Sequence, residues 1–129
     1  MLKWSDKEAS MTKPVPSAVT LRIRIAVGEN IAIGQGKADL LESIGRTGSI
    51  SAAARELDMS YRKAWMLVDE MNQCFPSPVV TAAKGGLRGG GAVVTELGQE
   101  ALTRFRRIQA KAFKAIEEDV REFRKRLLG

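Results

Sequence analysis

Histidine is absent from the 129 residues, and cysteine occurs once, at Cys74. Without histidine, most zinc sites, imidazole acid–base chemistry and the catalytic triad are excluded. A single thiol cannot form an internal disulfide. Cys74 falls near the C-terminal end of an amphipathic stretch, where the helix dipole disfavours a thiolate, so a buried structural thiol is expected rather than a redox switch. No apolar run approaches the roughly 18 residues of a membrane span. Lys3, Asp6, Lys7 and Glu8 stand where a signal peptide would need an apolar core, and a cytoplasmic protein with no membrane partner is expected. No nucleophile–base pair and no carboxylate pair flanking a cleft is recognisable, so neither an enzyme nor a metal or cofactor site is expected.

What is present is positive charge. The formal net charge is +6 and the pI about 9.8, with 44% hydrophobic and 28% charged residues. That composition fits one globular domain. Its charge points to a polyanionic partner, with a merely solvated basic surface as the alternative.

The informative stretch runs from Gly48 to Phe75. Ser49 precedes an alanine-rich run and reads as the N-cap of a helix over Ile50 to Leu57. Asp58-Met59 forms a turn, and Ser60 caps a second helix that runs to about Gln73, before Phe75-Pro76. Ile50, Ala53, Ala54, Leu57, Met59, Ala64, Leu67, Val68 and Met71 recur at spacings of three or four, as one buried face requires. The pattern predicts a helix-turn-helix, with Ser60, Tyr61, Arg62 and Lys63 on the turn that enters a DNA major groove. Ser49 joins these as a candidate DNA contact.

Before this pair, residues 1–18 carry Pro14 and Pro16 and no apolar period, and read as a flexible arm. Val19, Leu21, Ile23, Ile25 and Val27 alternate with polar or small residues, predicting a strand with one buried face. Gly28-Glu29-Asn30 turns it back into Ile31–Ile33, a hairpin. Arg22 and Arg24 share the exposed face, where they either meet phosphate or simply keep the surface soluble. Gly34-Gln35-Gly36-Lys37 is not a phosphate-binding Walker loop. Ile31 stands where the first glycine should be, and no Ser or Thr follows Lys37. A helix is expected from Lys37 to Arg46, ended by Gly48 in a left-handed conformation.

After the pair, Pro76-Ser77-Pro78 bars further helix. Val79–Thr81 and Ala92–Val94 read as strands on either side of a loop, Ala82 to Gly91, rich in glycine and carrying Lys84 and Arg88. Such a hairpin predicts a wing, whose glycines let backbone approach a phosphate and whose cations bind it. Thr95 caps a last helix expected to reach Leu127, about 48 Å at 1.5 Å per residue. Its apolar positions include Phe105, Ile108, Ala112, Ile116, Val120 and Phe123. A stripe of that length exceeds what a small domain can cover, so the far half is expected to pair with a second copy. The charges on the helix's outer faces, Arg106 and Arg107 among them, are expected to be solvated or to lie between subunits, with phosphate contact by Arg106 and Arg107 the weaker reading.

The segments T-G-S-I-S-A-A-A at 47–54, M-S-Y-R-K-A-W at 59–65, D-E-M-N-Q at 69–73 and G-G-L-R-G-G-G-A-V-V-T-E-L-G-Q at 85–99 carry a family likeness. The chain resembles the N-terminal DNA-binding domain of the ModE molybdate-responsive regulators, related to LysR-type winged helices. The likeness spans about Leu21 to Phe113. It implies a homodimeric regulator in which Ser60, Tyr61, Arg62 and Lys63 read the major groove and the wing glycines with Arg88 follow the backbone. Trp65 also matches: it either packs beneath the recognition helix or contacts sugar, and packing is the favoured expectation. The resemblance places molybdate in a separate C-terminal domain, so molybdate binding is not expected of these residues.

The expected fold is mostly α with small β hairpins: a flexible arm (1–18), a winged helix-turn-helix (19–95) and a long C-terminal dimerisation helix (96–129). The expected function is a homodimeric repressor on a pseudo-palindromic double-stranded operator. Two alternatives stand beside it: a protein–protein adaptor on a winged-helix scaffold, and an oxyanion sensor.

Overall fold

The computed structural model describes residues 19–83 and 91–127. The expected arm, and the loop residues 84–90 with Lys84 and Arg88, lie outside the described residues. Four helices and two antiparallel strand pairs follow one another in the order β1, β2, α1, α2, α3, β3, β4, α4.

The first hairpin is shorter than its alternation predicts. Only Ile25–Val27 (β1) pairs with Asn30–Ile33 (β2), and its register slips between Ile25 and Ala26. Ile23 packs on the core, but Ile25 and Val27 are exposed. Alternation marks which residues share a face, and only the end of the hairpin nearest the body finds anything to cover that face.

Helix α1 (Gln35–Thr47) begins two residues before the expected Lys37. Leu40, Leu41 and Ile44 are fully buried along one side. Gly48 ends it at φ +73°, its N–H returning to the Ile44 carbonyl, a conformation in which a Cβ would be strained. Helix α2 (Ile50–Glu56) starts from Ser49, whose Oγ accepts the Ala52 N–H at 3.0 Å. It closes with paired bonds from Asp58 N–H to the Arg55 carbonyl and from Met59 N–H to the Ala54 carbonyl. This is a Schellman closure with Asp58, φ 62°, in the place usually held by glycine. Aspartate tolerates that conformation better than most residues.

Helix α3 (Tyr61–Asn72) follows at once and buries Ala64, Val68 and Met71. The small Ala53, Ala54 and Ala64, at 2% exposure or less, let α2 and α3 cross closely. Strands β3 (Val80–Ala82) and β4 (Ala92–Val94) pair antiparallel, Val80 opposite Val94. Helix α4 (Glu96–Arg124) stops three residues before the expected Leu127. Its start is capped as expected, with the Gly98 N–H donating to Thr95 Oγ1. Gly98 lies against the β3 approach, where a Cβ would meet the Val79 carbonyl oxygen at 2.3 Å, so no larger residue fits.

Arg22–Ala112 form the compact body, and the outer part of α4 from Phe113 belongs to a separate unit. The body is built on one core that joins Ile33, the buried faces of the first three helices, Val79, Val80, Ala92, Val94 and Phe105.

Candidate nucleic-acid interface

The first turn of α3 is presented by its cap. Ser60 Oγ accepts the Lys63 N–H at 3.0 Å, which leaves its hydroxyl proton free to donate outward. Because Ala64, Val68 and Met71 take the inward face, Tyr61, Arg62, Lys63, Trp65 and Met66 face solvent. The turn contains no acidic residue, and neither Arg62 nor Lys63 has an ion-pair partner among the described residues. Ser49, the other small polar candidate, is half-buried and linked through its backbone to Thr47 Oγ1.

Trp65 corrects its expectation. It does not pack beneath the helix: 46% of it is exposed, and its indole N–H donates to Tyr61 Oη at 2.6 Å, the rings meeting edge to face. The interior positions of α3 are filled by smaller side chains, so the two aromatics pair on the outer surface. With the Trp65 N–H engaged, Tyr61 keeps its own O–H as an outward donor.

Asn72, which sequence reasoning passed over, docks the second strand pair onto α3. Its Oδ1 accepts from the Val79 and Val80 N–H groups at 2.8 and 3.3 Å, and its Nδ2 donates to the Val80 carbonyl at 3.2 Å. On the other strand, the Ala92 N–H donates to the Gly48 carbonyl at 2.9 Å. Between α3 and this hairpin lies a cavity of about 310 Å³, lined by Ile50, Ser51, Tyr61, Trp65 and Thr81 among others.

The opposite side of α3 has a different character. A groove of about 340 Å³ is lined there by Arg22, Arg24, Met59, Lys63, Leu67 and Glu70 among others. Beside it Lys37, only 6% exposed, bonds the Ile31 carbonyl and pairs with Glu70 at 3.0 Å. A buried ammonium needs such partners, and this one ties α1 to β2 and α3.

Two polar braces hold α1. Arg46 reaches Glu56 on α2 at 2.7 Å, and Ser43 Oγ donates to the same carboxylate. These bonds, the Arg46 one foremost, hold the Glu56 carboxyl down to about 2. The same contact raises the Arg46 guanidinium above its ordinary value. Arg106 on α4 bonds Asp39 at 2.9 Å and Glu42 at 2.7 Å. Burial opposes its charge, yet the two carboxylates carry its value upward. Arg106 is therefore engaged inside the body rather than available to a phosphate.

The candidate dimer residues divide. Phe105 is 1% exposed and belongs to the domain's own core, which removes it from any seam. Ala112 and Val120 are half-buried, while Ile108, Ile116 and Phe123 are exposed, Phe123 by 63%. Phe113, also exposed, had escaped notice beside Ala112. Cys74 is half-buried rather than buried, since α3 has ended at Asn72 and the chain there runs toward the surface. Among the described residues no cluster of three or more His, Cys, Asp or Glu can hold a metal ion, and no helix is long and apolar enough to cross a membrane.

No family model matches the chain. It is similar to the molybdenum-pterin-binding protein MopB of Rhodobacter capsulatus, 49% identical over 84 residues, covering 65% of this chain and 31% of that protein. It is similar to the DNA-binding transcriptional dual regulator ModE of Escherichia coli, 41% identical over 83 residues (62% of this chain, 32% of that one). The molybdenum transport protein ModE of Azotobacter vinelandii is 32% identical over 96 residues, or 74% of this chain and 36% of its own. The chain thus spans about a third of the length of the curated relatives it matches.

Proposed function

We propose that these residues are the DNA-binding part of a homodimeric transcription regulator of the molybdate-responsive ModE type. In this reading α2 and α3 are a helix-turn-helix, β3 and β4 flank a wing, and the outer stretch of α4 pairs with a second copy. The observation that carries it is the first turn of α3: a capped, acid-free helix start with Tyr61 exposed and with Arg62 and Lys63 exposed and free of ion-pair partners among the described residues. The relatives support it, one of them bearing the name of a DNA-binding regulator.

Each recognition helix would enter a major groove, the two copies about 34 Å apart on a pseudo-palindromic site. Arg62 is the base reader. A bidentate contact to guanine is worth about 1–3 kcal/mol of discrimination. Lys63, Tyr61, Ser60 and Ser49 position the helix on the backbone, and Lys84 and Arg88 do so from the wing. Repression by promoter occlusion is the output we assign.

Arg62→Ala tests the reading in a binding titration on operator and shuffled duplexes. Its expected effect is a loss of about 10- to 100-fold on the operator and little on the shuffled DNA, which is the signature of a base contact. Unchanged selectivity would remove Arg62 from that role. The molybdenum in the relatives' names favours a second reading, oxyanion sensing by this chain. That reading requires molybdate to shift the same titration.

A further inference from the structure

Helix α3 has a recess on each side, and the two differ in chemistry. Tyr61 and Trp65 line the recess beside β3 and β4, whose described lining contains no charged side chain. Lys63 and Leu67, offset around the helix by two residues, line the groove beside Gly34 and the segment leading into β1. Arg22 and Arg24, two residues apart in that segment, line the groove together with Ile23 between them. Neither they nor Lys63 has an ion-pair partner among the described residues. Glu70 is the one acidic residue lining the groove, and Lys37 holds it at 3.0 Å. Beside the Lys37–Glu70 pair, the groove lining therefore carries three cations, Arg22, Arg24 and Lys63, with no carboxylate to meet them among its described residues.

A major groove about 12 Å wide is filled by a helix of about 10–12 Å, so a phosphate backbone runs along each side of the inserted helix. The wing side takes one backbone. We propose that the groove formed by Arg22, Arg24 and Lys63 receives the other, making the segment before β1 a second phosphate clamp opposite the wing. This inference rests on the reading of α3 as the recognition helix, and it adds a binding surface which that reading does not require.

The clamp grips phosphate and not bases, so it is measurable without knowing the operator. The test is an anisotropy titration of the full chain on a random-sequence duplex across a salt series. Arg22→Ala/Arg24→Ala should weaken binding and flatten the slope of log K against log salt by about 0.9 for each phosphate no longer neutralised. Arg22→Lys/Arg24→Lys, which keeps the charge, should restore most of the slope. The charge-matched Lys111→Ala/Lys114→Ala on α4 should leave it unchanged. A wild-type slope in the Arg22→Ala/Arg24→Ala protein, or an equal decrease in the α4 control, would overturn the clamp. Should that double variant fail to fold, Arg24→Ala alone reads the same groove, and a slope smaller by about 0.9 is expected. Loss of selectivity in Arg62→Ala beside an unchanged slope in Arg22→Ala/Arg24→Ala would sink the clamp alone. Failure of the wild type to bind any duplex would sink both readings.

Discussion

The inner and outer stretches of α4 follow one sequence pattern and meet two fates. Up to Phe105 the apolar face is covered: Phe105 is buried, and Leu97 and Leu102 pack on the core, whereas Ile108, one turn further on, is already exposed. Arg106 fastens the same stretch to α1 through Asp39 and Glu42. From Phe113 onward the pattern continues, yet Phe113, Ile116 and Phe123 are exposed. Periodicity identifies an apolar face and says nothing about what will cover it. In the body the cover is the domain's own core; in the outer stretch we assign it to a second copy.

The largest effect that can break this contrast is at Phe105. Phe105→Ala should cost about 3–5 kcal/mol of unfolding stability by denaturant titration, the usual loss for a phenylalanine deleted from a core. Phe123→Ala, on the same helix, should leave the stability of the monomer within about 0.5 kcal/mol, as an exposed substitution does. Equal losses would mean that both stretches are covered alike. Next comes Phe113→Asp/Ile116→Asp. If a second copy buries these side chains, each contributes about 1.5–3 kcal/mol to association, and sedimentation should show a dimer becoming a monomer. A variant as dimeric as the wild type would place the seam elsewhere.

The smallest effect is a matter of acidity within the body. Glu56 is held down to about 2, chiefly by Arg46 and then by Ser43. A carboxyl with a lowered value in the folded state stabilises fully above its unfolded value of 4.5, and the contribution fades as pH falls from there toward about 2. Glu56→Gln should therefore flatten the acid limb of stability across that window in thermal melts from pH 2 to 6. An unchanged limb would show that the α1–α2 brace does not form in solution.

The parts legible in the sequence are those fixed by neighbours in the chain. Ser49, Ser60 and Thr95 cap helices because each has the right oxygen one residue before a helical run. Gly48 ends α1 because a left-handed residue is needed there, and β4 falls at Ala92–Val94 as its β-branched run predicts. What was missed depends on residues distant in sequence. Lys37 reads only as the start of a helix until the Ile31 carbonyl and Glu70 close around it. Arg106 reads as a solvated or inter-subunit charge, yet its partners lie 67 and 64 positions away in its own chain. Asn72 is an ordinary polar residue at a helix end until β3 returns to it. Trp65 misleads for another reason: its size suggests burial, but the turn of helix it occupies faces outward. At the proposed interface, residue types and their place on α3 were readable, whereas the two unlike recesses beside α3 were not.

The most direct measurement is an anisotropy titration of the wild-type chain against promoter DNA from beside molybdate-uptake genes, with a shuffled duplex of equal length as control. Tight binding to the promoter, weaker by about a thousandfold or more on the shuffled duplex at moderate salt, is the expected result for a specific regulator. Equal, weak binding to both duplexes, with no change on adding molybdate, would contradict a sequence-reading α3 and turn its cationic surface toward a protein partner instead.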